Sequence, residues 1–130
     1  MSQVRTVPLP WTTLTTAQSS NDEFHPSGGY MSAAAVASVR SVWELKQRTG
    51  NISVTPGFEL SNSEDDPSPI VVKVGTLQTS KAIHYPSDWQ SMAANTAGKQ
   101  LIRPGWVVRN TAGTDLSTAR VGGKVEIQTC

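Results

Sequence analysis

The chain has 130 residues, the size of one domain, and is long enough to bury a core without help from disulfides or metal. Eleven basic residues against ten acidic ones leave a net charge of +1, which argues against nucleic acid as a partner. No stretch approaches the roughly 18 apolar residues of a membrane span, and the N-terminus lacks the apolar segment of a signal peptide, so we expect neither a membrane partner nor a cleaved leader.

The first thirty residues differ in composition from the rest. Val7, Leu9 and Trp11 alternate with two prolines, and threonine and serine are then frequent as far as Gly28. Proline cannot donate to a β-ladder, which excludes a central strand, yet the three apolar side chains need cover. We therefore predict an extended arm at residues 1–30 and a β-sandwich domain at residues 31–130. The arm packs on another subunit or, alternatively, on its own sandwich.

Between residues 39 and 48, charged residues occupy even-numbered positions and large apolar residues occupy odd-numbered ones. The charged residues there are all even-numbered: Arg40, Glu44, Lys46 and Arg48. The large apolar residues are odd-numbered: Val39, Trp43 and Leu45. An alternation of two places the charges on one face of a strand, whereas a helix would scatter them. The alanine-rich residues 33–37 favour helix by propensity, so helix and strand stay open there.

A second strand follows over residues 52–60, with residues 49–51 as a hairpin turn. Pro56 and Gly57 interrupt it, which predicts a bulge or a sheet edge. Residues 61–69 are predicted to be a loop, and the β-branched run at residues 70–74 a strand covered on both faces. Residues 86–94 could form one helical turn.

The tetrapeptide Asn-Thr-Ala-Gly occurs at residues 95–98 and again at residues 110–113. The two copies flank a predicted strand at residues 100–109, and asparagine and glycine both suit turns because they tolerate positive φ. The repeat is therefore interpreted as two uses of one turn. A long closing strand follows, with apolar residues at odd positions from Ala119 to Ile127.

Short strands separated by Gly, Pro and Asn turns indicate an all-β fold, an antiparallel β-sandwich of jelly-roll type. The predicted core residues come from the apolar faces of these strands: Val39, Trp43, Leu45, Ile52, Val54, Phe58, Ile102, Trp106, Val108, Val121, Val125 and Ile127.

Residues able to support catalysis or bind metal are few and badly spaced. His25 and His84 lack a second ligand at metal-binding spacing, and Cys130 is the single thiol. The acidic residues 62–66 match no calcium-binding loop and indicate a solvated turn. We expect no catalytic centre, no bound metal and no cofactor.

Three aromatic residues fall in predicted loops: Tyr30, Tyr85 and Trp89. Exposed aromatic rings stack on the apolar faces of sugars, so these residues are candidate glycan contacts. Aromatic residues carry much of the core and interface energy, which favours the alternative that these rings cap the ends of the sandwich or form a subunit contact.

With these strands in place, residues 39–127 resemble the small jelly-roll accessory proteins of tailed-phage virions, the decoration, cement and head-fibre proteins. They are less closely similar to carbohydrate-binding modules. The resemblance rests on low charge, Thr-, Ser- and Ala-rich strands, the N-terminal arm and the Asn-Thr-Ala-Gly turns, and it transfers no residue-level role. It implies a non-enzymatic virion protein that docks on capsid or other structural subunits, often as a trimer or another homo-oligomer. A carbohydrate-binding module is the alternative.

Overall fold

The alternating segments of the sequence form strands in the computed structural model, which describes residues 3–17, 21–34, 36–85, 88–92, 98–110 and 116–129. These residues contain no helix and form ten strands: β1 (Val4–Thr16), β2 (Glu23–Pro26), β3 (Met31–Ser32), β4 (Val36–Thr49), β5 (Ile52–Ser61), β6 (Ile70–Lys73), β7 (Ile83–His84), β8 (Gln90–Ser91), β9 (Leu101–Asn110) and β10 (Ser117–Thr129).

The strands form two antiparallel sheets packed as a sandwich. Sheet 1 has the order β1-β10-β4-β7, with β8 also pairing with β4; sheet 2 has the order β2-β9-β5-β6, with β3 also pairing with β9. If the short β3 and β8 are left aside, the strands pair from the two ends of the chain inwards: β1 with β10, β2 with β9, β4 with β7, and β5 with β6. This winding is the jelly roll, which confirms the fold class expected from the sequence.

The core between the sheets contains all twelve residues predicted for it, each of them buried. At its centre the Trp43 and Trp106 rings meet edge to face, with their centroids 5.5 Å apart. Each large apolar side chain removed from water contributes about 1.5–3 kcal/mol, so this cluster dominates the stability of the sandwich.

The described part of the first thirty residues lies within the sandwich and does not form a separate arm. β1 pairs with β10 as an edge strand of sheet 1, and β2 is an edge strand of sheet 2. Pro8 and Pro10 are tolerated because β1 lies at an edge and its register shifts between Leu9 and Thr12. The cover that the apolar residues need thus comes in large part from this chain's own core, in which Leu9 is 1% exposed.

The turn at residues 49–51 is not the predicted hairpin. β4 and β5 belong to different sheets, so the turn carries the chain across the sandwich. Gly50 has the positive φ that was expected of it, 75°. A Cβ at this position would also collide with the Ser117 side chain, whose Oγ accepts a hydrogen bond from the Asn51 amide.

β5 pairs with β9 without a register shift, but its ladder with β6 covers only Gly57 to Leu60 and is followed by a single bridge between Val54 and Gln78. The predicted interruption at Pro56 and Gly57 is therefore found on the β6 side of the strand. The Val74 amide donates to the Pro56 carbonyl at 2.8 Å. Proline cannot return a bond to the Val74 carbonyl, and the Thr55 hydroxyl donates to that carbonyl instead, at 2.9 Å. A side-chain donor thus replaces the missing amide, and the strand continues.

Other differences follow from position in the sheets. β6 is an edge strand, so Ile70 and Val71 are exposed, contrary to the prediction of cover on both faces. Gln90 and Ser91 pair with β4 as β8, so the predicted helical turn is wrong for the described residues 88–92. β4 begins at Val36, and no described residue between 33 and 37 is helical.

The Asn-Thr-Ala-Gly repeat is only partly visible in the structure. Gly98 has the expected positive φ, 80°, and Asn110 is the buried last residue of β9. The remaining residues of the two copies, 95–97 and 111–113, lie outside the described residues.

Candidate interaction surfaces

Two β-bulges place an exposed tryptophan on the outer face of sheet 1. In β1 an extra residue lies between Leu9, which pairs with Gly123, and Thr12, which pairs with Val121. In β4 the register shifts in the same way beside Lys46. An extra residue shifts the following side chains to the opposite face of the sheet. Val7 and Leu9 therefore face the core, whereas Trp11 faces solvent.

The Trp11 indole lies on the backbone of Gly122. A Cβ at residue 122 would be 2.6 Å from Cδ2 of Trp11, so the ring occupies this position only because residue 122 is glycine. The Lys46 ammonium lies 5.5 Å from the ring centroid, a cation–π distance. Trp11 nevertheless remains 45% exposed, which is unusual for a side chain held so closely.

Beside Trp11 an apolar groove of about 410 Å³ crosses sheet 1 from β1 to β7. Pro10 and Trp11 form one side, the backbone of Gly122 and Gly123 forms the floor, and Val42 and Ile83 form the other side. Ile83 is 51% exposed. The groove thus leaves apolar groups of Trp11 and Ile83 in contact with water.

A cleft of about 550 Å³ lies at the opposite edge of sheet 1. β7 and β8 pair with β4 at separate places, His84 opposite Trp43 and Gln90 opposite Val39, and the cleft opens between them. The Gln90 amide ties this edge to sheet 2, because it donates to the Lys73 carbonyl at 2.8 Å and accepts from the Gly75 amide at 3.1 Å.

Aromatic rings line this cleft. The His84 ring stacks on Trp43 with a centroid distance of 4.5 Å, and its Nε2 lies 2.9 Å from the Ser80 carbonyl oxygen. Trp89 lies under the Arg40 guanidinium at 4.2 Å, and Tyr85 is 74% exposed at the mouth. The structure thus brings together two of the three residues that the sequence singled out as candidate glycan contacts.

Tyr30, the third candidate, belongs to a different surface, on sheet 2. Its hydroxyl donates to Glu59 Oε1 at 2.7 Å, and the Arg103 guanidinium lies 4.6 Å from the centre of its ring. Arg103 also binds Glu59, with Nη2 2.7 Å from the carboxylate oxygen. Tyr30 is therefore held in a polar network on sheet 2, and its half-buried ring lines a separate pocket of about 600 Å³.

The three candidate partner-binding residues of the N-terminal segment are also separated. Leu9 is buried in the core of its own sandwich, and Val7 is partly buried against it. Trp11 alone among the three presents a large exposed surface. Sequence patterning missed this because Val7, Leu9 and Trp11 alternate regularly, and the bulge leaves no local signature.

The acidic residues 62–66 do not form an open cation site. The Asp66 carboxylate accepts hydrogen bonds from the Asn62 and Ser68 amides, both at 2.8 Å, and from Lys99 Nζ at 3.1 Å. These bonds, led by the one from Asn62, lower the Asp66 pKa to about 2. The carboxylate is thereby committed to closing the loop.

The histidines have structural partners of their own. His25 Nε2 lies 2.6 Å from a Glu23 carboxylate oxygen, and His84 is stacked in the cleft. No group of three or more His, Cys, Asp or Glu side chains among the described residues is placed to hold a metal ion. Within the same residues there is also no helix long and apolar enough to cross a membrane.

Comparison with known proteins gives a likeness of fold. No protein-family model matches the chain, and no curated protein sequence does. The crystal structure of the infectious bursal disease virus VP2 subviral particle is similar over 98% of this chain, with a TM-score of 0.64 and 11% identity. The structure of the infectious bursal disease virus Gx strain is similar over the same share, with a TM-score of 0.54 and 12% identity. This chain covers 32% of each of those chains.

Proposed function

We propose that this protein is a non-enzymatic structural subunit of a virion or a similar assembly, in which copies of the chain associate through the outer face of sheet 1. The observation that carries the proposal is the exposed Trp11, held by a bulge over Gly122 beside an apolar groove. Such a ring is costly to leave in water, and tryptophan is enriched among the residues that dominate binding energy.

A second copy of the chain is the occupant that the charges of this face favour. The charged residues of this outer face have both signs: Glu44 and Glu126 are acidic, and Arg40, Lys46, Arg120 and Lys124 are basic. A face with both signs beside an apolar centre can complement itself in a symmetric oligomer, in which each copy presents the same patch. A strongly basic face would instead favour nucleic acid or an anionic membrane, and neither is a proposed partner.

The fold likeness supports the virion part of the proposal. The neighbour with the higher TM-score is a VP2 protein from a subviral particle, and its likeness extends over 98% of this chain.

The test is the oligomeric state of Trp11→Ala. Sedimentation velocity over a range of concentrations should show oligomers, of trimeric or other order, for the natural chain. The variant should associate at least about 30-fold more weakly, the equivalent of a hot spot of 2 kcal/mol. Leu116→Ala, which truncates a more exposed apolar residue away from the groove, is the control. A natural chain that stays monomeric, or a Trp11→Ala variant that associates as strongly as the control, contradicts the proposal.

A further inference from the structure

The cleft between the sheets has a chemical character that association through sheet 1 does not use. It lies at the β4 edge, and its described lining combines rings with short polar side chains: Ser41, Thr76, Gln78, His84, Tyr85, Asp88 and Trp89. Its volume of about 550 Å³ is within the range of small-molecule sites, roughly 300–1,000 Å³. Apolar and polar groups therefore converge in a space large enough for a short oligosaccharide.

Tyr85 is the residue of this cleft that points most directly to a ligand. The ring is 74% exposed, so it contributes little to the core, and it lies where the chain leaves β7. An aromatic ring at the mouth of a cleft can stack on the apolar C–H face of a pyranose, while the phenol hydroxyl stays in water. Packing within the chain thus gives no reason for a tyrosine at this position.

The polar groups match the other side of a sugar. Sugar hydroxyls both donate and accept hydrogen bonds, and the cleft supplies a carboxylate that accepts, from Asp88, and an amide that does both, from Gln78. Thr76 and Ser41 add hydroxyl groups. The Gln78 amide donates to the Thr76 hydroxyl at 3.1 Å, which holds both groups in place and leaves each of them further capacity for hydrogen bonds. A ligand with several neighbouring hydroxyls can use that capacity, whereas an apolar ligand cannot.

Charge selects neutral sugars over acidic ones. Among the described residues that line the cleft, Arg40 carries the permanent positive charge, and it is already paired with Glu126 at 3.1 Å and stacked on Trp89. The exposed Asp88 carboxylate would repel a second carboxylate. We propose that this cleft binds a neutral hexopyranoside, which stacks on Tyr85 and bonds to Asp88 and Gln78.

Saturation-transfer NMR and calorimetry test this with methyl glycosides of glucose, galactose and mannose, their disaccharides, and N-acetylneuraminic acid as the acidic control. At least one neutral sugar should bind saturably and more tightly than the acidic one. Tyr85→Ala should weaken that binding at least tenfold, whereas Tyr85→Phe, which keeps the ring, should retain most of it. Leu116→Ala should bind as the natural chain does.

Failure of this inference can be distinguished from failure of the proposed function. Trp11→Ala should lose association and keep sugar binding, and Tyr85→Ala should do the reverse. The inference is overturned if no neutral sugar in the panel binds, if Tyr85→Ala binds unchanged, or if the acidic sugar binds more tightly. Displacement of bound sugar by an extended peptide that pairs with the β4 edge would also overturn it, because the edge would then be a peptide site.

Discussion

The outer face of each sheet has an aromatic ring that lies over a glycine, but the two rings have different surroundings. On sheet 2 the Phe24 ring lies over Gly105, and on sheet 1 the Trp11 ring lies over Gly122. Each ring has a cation near it, Arg103 at 5.9 Å from Phe24 and Lys46 at 5.5 Å from Trp11. In both cases a glycine permits an aromatic ring to lie directly on the sheet.

The surroundings of the two rings decide their different exposure. On sheet 2, Glu59 joins Tyr30 and Arg103, and nearby Asp22 pairs with Arg109 at 2.8 Å and with Lys73 at 3.2 Å. On sheet 1 no comparable network among the described residues encloses Trp11, which borders a groove instead. Sheet 2 thus covers the aromatic ring on its outer face with a polar network and, in the part of the chain that the structure describes, leaves large apolar side chains exposed only at its β6 edge, Ile70 and Val71. Sheet 1 instead leaves the Trp11 ring beside an open apolar groove.

The largest expected effect comes from comparing two tryptophans. Trp106→Ala should lower the free energy of unfolding by about 3–5 kcal/mol, because Trp106 is buried between the sheets. Trp11→Ala should lower it by less than about 1 kcal/mol, since the ring is nearly half exposed. Urea denaturation at a concentration where the chain is monomeric measures both. Equal losses would mean that Trp11 belongs to the core, and the contrast between the faces would fail.

Alanine at the two glycines is the second comparison. A Cβ at Gly105 would lie 2.3 Å from the His25 carbonyl oxygen, a backbone atom of the paired strand, so Gly105→Ala should cost about 1–3 kcal/mol or more. A Cβ at Gly122 would meet the Trp11 side chain, which can swing into solvent. Gly122→Ala should therefore leave stability nearly unchanged while weakening association as Trp11→Ala does. Gly29→Ala, where nothing lies within 4 Å, is the control for both.

Carboxylates on the two outer faces should also differ, though less. Glu59 accepts hydrogen bonds from Tyr30 and Arg103, and Glu59→Gln should cost up to about 1.5–3 kcal/mol, the range for hydrogen bonds to charged groups. Glu126 pairs with the more exposed Arg40, so Glu126→Gln should cost at most about 1 kcal/mol. Thermal melts of the two variants show which substitution lowers stability more. A larger loss for Glu126→Gln would show that the sheet 2 network does not stabilise the fold more than the exposed ion pair does.

The smallest effect concerns acid sensitivity at the loop that follows β5. The Asp66 pKa is lowered from 3.8 to about 2 in the folded chain, so its carboxylate stabilises the fold fully above pH 4 and progressively less as the pH falls towards 2. The difference in stability between the natural chain and Asp66→Asn should therefore shrink over that interval. Asp65→Asn, at an exposed neighbour, is the control. A difference that stays constant with pH would contradict this role.

Much of the fold was predictable because burial imposes a period of two on each strand. Parity alone identified twelve of the core residues, in strands far apart in the sequence, but not others such as Leu9, Leu14 and Met92. The connections that the turns make were predicted less well. Gly50 has the positive φ that its turn needs, but the same local conformation serves a hairpin and a crossing between sheets, so the sequence could not distinguish them.

Sequence patterns identified single residues of the candidate sites but not which residues lie together in each site. Tyr85 and Trp89 were selected as loop aromatics, but the residues that complete their cleft, such as Gln78 and Arg40, had no signal of their own. Tyr30 was selected on the same grounds and lies instead in the sheet 2 network. The exposure of Trp11 depends on a bulge opposite Gly122, and neither residue alone reveals the other.

The sequence by itself determined which side chains avoid water and therefore that the chain forms a two-layered β-sandwich. The tertiary structure decided which strands lie at the edges, which aromatic rings are covered and which polar groups meet. The physical reason is the range of the interactions. Alternation is a property of neighbours along one strand, whereas the pairing of β1 with β10 brings together residues more than a hundred positions apart, and such a pairing is specified by the whole set of buried faces.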